Sequence, residues 1–242
     1  MLRGIYNVAS AMEAASRNQD IVAENLANAV TPGYRRQGSV FELDSASAND
    51  NGSATQNSAS ARNPRGYSNF ESGPLQQTNH PFDLALVGNG FFVVDGPNGP
   101  LYTRNGSFER NASGELQTRG GAYRLQGSGG SAIRVPPDAA GITVSAEGAV
   151  FANGTEIGRL QLATFARPEA MRRVGTTLFQ ADDPQTPPAG AVKVEQGYRE
   201  GSNVQPVQEM VAMMVGMRYY EAAERAMRSL SDAISQNTRT QQ

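Results

Sequence analysis

The sequence predicts an α+β fold: long N- and C-terminal helices pairing as a coiled-coil-like assembly domain, with a central, mainly antiparallel β domain between them. Two observations lead there. Apolar residues recur at three- and four-residue spacing over residues 4–28 and again over about 202–237. Between those stretches, Gly- and Asn-rich turn signals punctuate short apolar runs every six to nine residues. A helix with an apolar stripe must bury it, so two such helices invite pairing with each other or with copies of the chain. That is the plan of an assembling subunit more than of an enzyme.

In the first helix Ile5, Val8, Met12, Ala15, Gln19, Val22 and Leu26 form the seam, with Gln19 its one polar interruption. Twenty-five residues would extend about 37 Å. Thr31-Pro32-Gly33 ends the helix, because proline disfavours helix at Thr31 and Pro-Gly favours a turn. Residues 44–63 are Ser/Ala/Asn-rich with almost no large apolar side chain, which predicts a mobile linker or loop. Next come predicted strands at Asp83–Val87 and Phe91–Asp95, joined by a hairpin turn at Gly88-Asn89-Gly90. Short strands follow at 101–104, 107–110, 115–118 and 123–126, then at 142–145, 149–151 and 157–165. From Arg167 to Gly197 the alternation weakens into an irregular return path. The last helix opens at Ser202 or Asn203, with Gln205 placed as in a capping box and Pro206 in the first turn. Its seam is Met210, Met213, Met217, Tyr220, Glu224, Met227, Ser231 and Ile234, over a length of about 50 Å. Methionine on such a face adapts to non-identical neighbours.

Composition narrows the function. With 242 residues the chain can hold one large domain or two modest ones. Net charge is −2, and Lys193 is the only lysine. Pairs such as Arg35-Arg36 and Arg172-Arg173 are too small a footprint for a polyanion, so no nucleic-acid partner is expected. Absence of cysteine removes disulfides, thiolate catalysis and sulfur-bound zinc. No run of about 18 apolar residues is present, so no membrane span is expected. Glu13, Arg17 and Asp20 interrupt the region where a cleavable signal peptide would need an apolar stretch.

Catalytic chemistry finds little support. His80, the only histidine, lies between Asn79 and Pro81 with no Gly-x-Ser-x-Gly elbow nearby, and reads as a structural or surface residue. Gly88-Asn89-Gly90 lacks the third glycine and the helix of a phosphate loop. Glu109, Glu115 and Glu147 are scattered at turns; a glycosidase-like pairing among them stays open, although such residues are mostly just solvated. The expectation is a non-enzymatic protein without cofactor or metal.

Asn25-Leu26-Ala27-Asn28 followed by Thr31-Pro32-Gly33-Tyr34 resembles the N-terminal signature of the bacterial flagellar rod, hook and hook-associated proteins. Gly73–Thr78, Asp83–Leu86, Gly88–Val94, Tyr102–Phe108 and Gly114-Glu115-Leu116 resemble that family's central β motif, in order. Gly197–Val204 and Glu209-Met210-Val211 resemble its C-terminal signature. Within the family the chain is similar to a rod subunit, since it is short and has one β domain. The 44–63 segment and the tail Tyr219–Arg225 fit the proximal type somewhat better than the distal one.

The resemblance implies an axial subunit of the flagellar basal body, exported unfolded through the flagellar export apparatus without a cleavable signal. Its partners would be copies of itself and other rod and hook axial proteins, with the terminal helices packed side by side. Residues 1–38 and 198–242 would form one discontinuous assembly domain, 39–72 a linker, and 73–197 the β domain. Asn25, Asn28 and Thr31, Pro32, Gly33 and Tyr34 would shape the exit from the first helix. Asn203 would cap the last helix, between Ser202 and Val204. The interface would lie on Ile5, Val8, Met12, Val22 and Leu26, and on Met210, Met213, Met217, Tyr220, Met227 and Ile234. Alternatives at this point are a distal rod or short hook-like subunit, or a β domain that binds or hydrolyses cell-wall glycan.

Overall fold

Four apolar residues in a row, Phe91-Phe92-Val93-Val94, suit a strand buried on both faces, and that is where the chain puts them. The computed structural model describes residues 2–40, 65–139 and 141–239. In it the chain divides into two compact units, one made of residues 28–36 and 68–204, the other of residues 1–27, 37–67 and 205–242. The predicted linker at 44–63 lies outside the described residues.

The first unit is built around a five-stranded antiparallel sheet ordered Leu162–Ala163, Phe91–Gly96, Gly99–Thr103, Leu178–Gln180 and Arg172–Arg173. Side chains alternate across it. Phe92, Val94 and Leu101 enter a large apolar core with Leu84, Phe108, Leu116 and Val150. Phe91, Val93, Tyr102 and Phe179 enter a smaller cluster on the other face, closed by Phe70 and Phe165. Aromatic rings meet edge to face in both, Phe92 with Phe108 at 5.2 Å and Phe70 with Phe179 at 5.0 Å. Each fully buried ring contributes about 1.5–3 kcal/mol of apolar transfer. Flanking this sheet in sequence is a three-stranded one, Thr155–Arg159, Ala149–Ala152 and Ile142–Val144. Its hairpin turns at Asn153-Gly154 with positive φ at both residues, as an Asn-Gly turn predicts. Leu84–Val87 pairs with Lys193–Gln196, and Leu75–Gln77 with Tyr198–Glu200.

Three expectations need correction. Gly88-Asn89-Gly90 is not a hairpin turn, because Leu84–Val87 and Phe91–Gly96 belong to different sheets. Its glycines are there for close approach: a Cβ at Gly88 would lie 2.4 Å from the Ala191 carbonyl oxygen, and one at Gly90 would meet Val192 at 2.7 Å. The return path from Arg167 to Gly197 is also less irregular than it reads. It supplies Arg172–Arg173 and Leu178–Gln180 to the five-stranded sheet, and Lys193–Gln196 as the partner of Leu84–Val87. In place of the expected strand at 123–126, Arg124, Leu125 and Gln126 make isolated bridges.

The second unit holds two long helices, α1 (Leu2–Ala27) and α2 (Pro206–Arg239), with strands Gln37–Val40 and Arg65–Ser68 paired beside them. α2 starts later than the capping-box spacing suggests. Pro206 is its first residue, and proline disfavours helical backbone at Gln205, so Ser202 and Asn203 stand outside the helix. Among the described residues of this unit, the buried apolar side chains are only Ala14 and Val22, and the buried polar ones are Asn25 and Glu209.

Candidate functional site

The motifs at the two chain ends contribute to two polar clusters, one in each unit. In the β unit the centre is Glu200, whose side chain is 1% exposed. Arg35 Nη2 donates to its Oε1 at 2.7 Å, and so does the Gly73 amide at 2.8 Å. Arg104 Nη1 donates to Oε2 at 3.2 Å, and the Gly33 amide to the Glu200 carbonyl at 2.8 Å. One residue thereby ties together the stretch leaving α1, the loop at Gly73, the strand end at Arg104 and the chain approaching α2. Two guanidiniums share one carboxylate. Burial pushes Arg104 down to about 10, Glu200 pulls it back up, and neighbouring Arg35 pushes it further down.

Thr31, Pro32, Gly33 and Tyr34 form the turn that delivers Arg35. The Thr31 amide donates to the Asn28 carbonyl at 3.1 Å, and Thr31 Oγ1 to Asn28 Oδ1 at 3.2 Å. Gly33 has φ +69, and a Cβ there would fall 2.2 Å from the Asn105 backbone nitrogen, so only glycine fits. Tyr34 is fully buried, with the Arg173 guanidinium 4.9 Å from its ring centre. Asn203 is a strap and not a helix cap. Its Oδ1 accepts from the Arg36 amide at 2.7 Å, and its Nδ2 donates to the carbonyls of Asn69 and Glu71 at 2.9 Å. Ser202 Oγ accepts from the Val204 amide at 3.2 Å, and both residues are buried.

In the helical unit the centre is Asn25, fully buried. Its side-chain amide exchanges two hydrogen bonds of 2.8 Å with the backbone of Gln37, which folds the chain back onto α1. Its Nδ2 also donates to Glu209 Oε2 at 3.3 Å. Farther along, Gln19 Nε2 donates to the Met213 carbonyl at 3.3 Å, and a Cβ at Gly216 would lie 2.4 Å from Gln19 Oε1. On α1, Ile5, Val8, Met12 and Leu26 are half-buried and Val22 buried. On α2, Met213 and Met227 are half-buried, whereas Met210, Met217 and Tyr220 are more than two-fifths exposed. Ile234 falls within α2, but its side chain is outside the described set.

Glu200, Arg35, Arg104 and Glu209 were not among the expected site residues. For Glu200, Arg104 and Glu209 the signal was their position inside the motifs Gly197–Val204, Tyr102–Phe108 and Glu209-Met210-Val211, and for Arg35 its place directly after Thr31-Pro32-Gly33-Tyr34. Two of the three carboxylates left open for a glycosidase-like pairing, Glu115 and Glu147, are shifted downward. The Arg134 hydrogen bond holds the Glu115 carboxyl below its usual range, and Glu147 is lowered by its own backbone and Ser145. A general acid needs the opposite shift. His80 is 46% exposed at its side chain and accepts from the Phe82 amide. Among the described residues no group of three or more His, Cys, Asp or Glu could hold a metal ion, and no helix is long and apolar enough to cross a membrane.

The comparisons match these parts one by one. Residues 5–35 match the family described as flagella basal body rod protein, 85–152 the D1 domain of flagellar hook protein FlgE/F/G, and 195–236 the C-terminal region of flagellar basal body rod FlgEFG protein. The chain is 31% identical to the flagellar basal-body rod protein FlgF of Mesorhizobium japonicum, over 99% of this chain and 98% of that one. It is 32% identical to FlgF of Caulobacter vibrioides over 87% and 86%, and 29% identical to the rod protein FlgG of Agrobacterium fabrum over 97% of each. The chain therefore belongs to the flagellar basal-body rod proteins, FlgF- or FlgG-like, and is a structural subunit of the flagellar rod used in motility.

Proposed function

We propose that the subunit polymerises through the faces its terminal helices leave open, forming part of the axial shaft that transmits torque from motor to hook. The observation that carries this is the apolar face of α2: Val207 is 71% exposed, Val211 49% and Met214 51%. Spacings of three and four residues put Val207, Val211 and Met214 on one side of the helix. A thin internal core and a long uncovered stripe together mean that the unit's apolar burial is completed by neighbours. Family membership supports assembly with other axial flagellar proteins. In this reading the helices pair in coiled-coil fashion, with Ile5, Val8, Met12, Val22 and Leu26 on one side and Met213, Met227 and Ile234 on the other. Met210, Met217 and Tyr220 face neighbours. Export unfolded through the flagellar apparatus belongs to the same reading, as do the absence of catalysis and a proximal place in the rod.

Quantitative mass spectrometry of purified hook–basal bodies, scaled to the hook protein, tests the placement. Few copies support the proximal rod, and abundance moves the chain to the distal rod. The variant Val211→Asp with Met214→Asp tests the mechanism. Both sites are exposed, so the monomer should keep its stability within about 0.5 kcal/mol while incorporation into basal bodies is lost. Incorporation at the wild-type level would count against the helix face as the assembly surface.

A further inference from the structure

Beside α2 runs a groove of about 290 Å³ with small side chains, Ala15, Ser16 and Gly216, and with Met217 and Tyr220 along it. Gly216 makes it possible, since Gln19 packs directly against its Cα and leaves no bulk there. Two carboxylates, Asp20 and Glu221, line the same groove. Both are exposed, and neither has an ion-pair partner among the described residues. Glu221 precedes Arg225 by four residues, a favourable spacing for a pair, yet no such bridge forms. An apolar slot edged by two unspent negative charges suits a long side chain with an aliphatic stem and a cationic head.

The same helix offers that side chain. Arg218 and Arg225 are exposed and make no ion pair among the described residues. At 100° per residue both lie roughly half a turn around α2 from Gly216, next to the Val207–Met214 stripe. On their own helix they stand three residues before and four after Glu221, yet neither bridges it. We propose that the groove receives Arg218 or Arg225 from α2 of a second copy of the chain, with the guanidinium on Asp20 and Glu221 and the stem along Met217 and Tyr220. Tyr220 adds a ring face for the guanidinium. Donor and acceptor are different surfaces of one subunit, so the contact is heterologous and adds copies without closing. This rests on the assembly reading above and names one of its contacts.

The test is a pair of charge-reversed full-length chains in the source bacterium, read as incorporation into purified basal bodies. Asp20→Arg with Glu221→Arg makes groove and helix both positive; Arg218→Glu with Arg225→Glu makes both negative. Each alone should lower incorporation by about tenfold or more, and co-expression of the two should restore it, since each then meets its complement. Circular dichroism of the purified variants should match wild type, the sites being exposed. Normal incorporation of either variant alone overturns the groove contact while leaving the assembly reading intact. Loss without rescue on co-expression overturns the second copy as occupant. Absence of the wild-type chain from basal bodies overturns the assembly reading and the groove with it.

Discussion

Glu200 is the residue on which most hydrogen bonds at the chain crossing depend. Replacing its carboxylate by an amide leaves Arg35 and Arg104 buried without a counter-charge. Glu200→Gln should therefore cost about 3–5 kcal/mol in urea unfolding of the full chain, a far larger loss than a surface charge change gives. An effect under about 1 kcal/mol would mean that the guanidiniums find other acceptors. Glu115 makes a prediction in pH. Its carboxyl is lowered chiefly by Arg134, so its stabilisation is complete above the ordinary carboxylate range and is lost as pH falls through its depressed value. Arg134→Gln should remove that contribution at neutral pH, leave stability in acid unchanged and so flatten the loss, which an acid titration of both proteins by tyrosine fluorescence would show. An acid limb as steep as wild type would assign the lowering to another partner.

At the scale of elements, the turn after α1 is the most constrained. Gly33→Ala forces positive φ on a residue with a Cβ and drives that Cβ into the Asn105 backbone. A loss of more than about 2 kcal/mol is expected, measured by thermal unfolding. Much of the element list was legible from the sequence. Both helices, the strand at Phe91 and the Asn153-Gly154 hairpin follow from periodicity and turn chemistry. The strand Lys193–Gln196 was legible too, because Val192 and Val194 alternate with Lys193 and Glu195, but prolines upstream masked a pattern only a few residues long. Strand pairing was not legible. Nothing local says that Leu84–Val87 joins a partner a hundred residues away instead of its neighbour across Gly88-Asn89-Gly90. The methionines of α2 show the same limit: spacing identifies a stripe, but only packing shows that Glu209 and Gly216 occupy the inner side while Met210 and Met217 look outward.

For the whole molecule, the contrast between its two units sets the order of unfolding. The β unit has two apolar clusters, whereas the helical unit buries Ala14 and Val22 beside Asn25 and Glu209. In dilute monomer, helix signal at 222 nm should disappear at lower urea than the tyrosine signal of the β unit, giving separate transitions. Coincident curves, with helix content near that of both full helices, would sink this idea. The polar share of that small interior has its own consequence. An apolar seam tolerates many partners and registers, because one methyl group replaces another at little cost. Asn25 does not: unless Gln37 and Glu209 arrive where its amide expects them, a buried donor and acceptor go unmet. A helix pair shifted by a residue, or joined to a foreign helix of similar hydrophobicity, forfeits those bonds. In the proposed assembly, hydrogen-bond matching at Asn25 would set the register of the helix pair and leave apolar area for its neighbours.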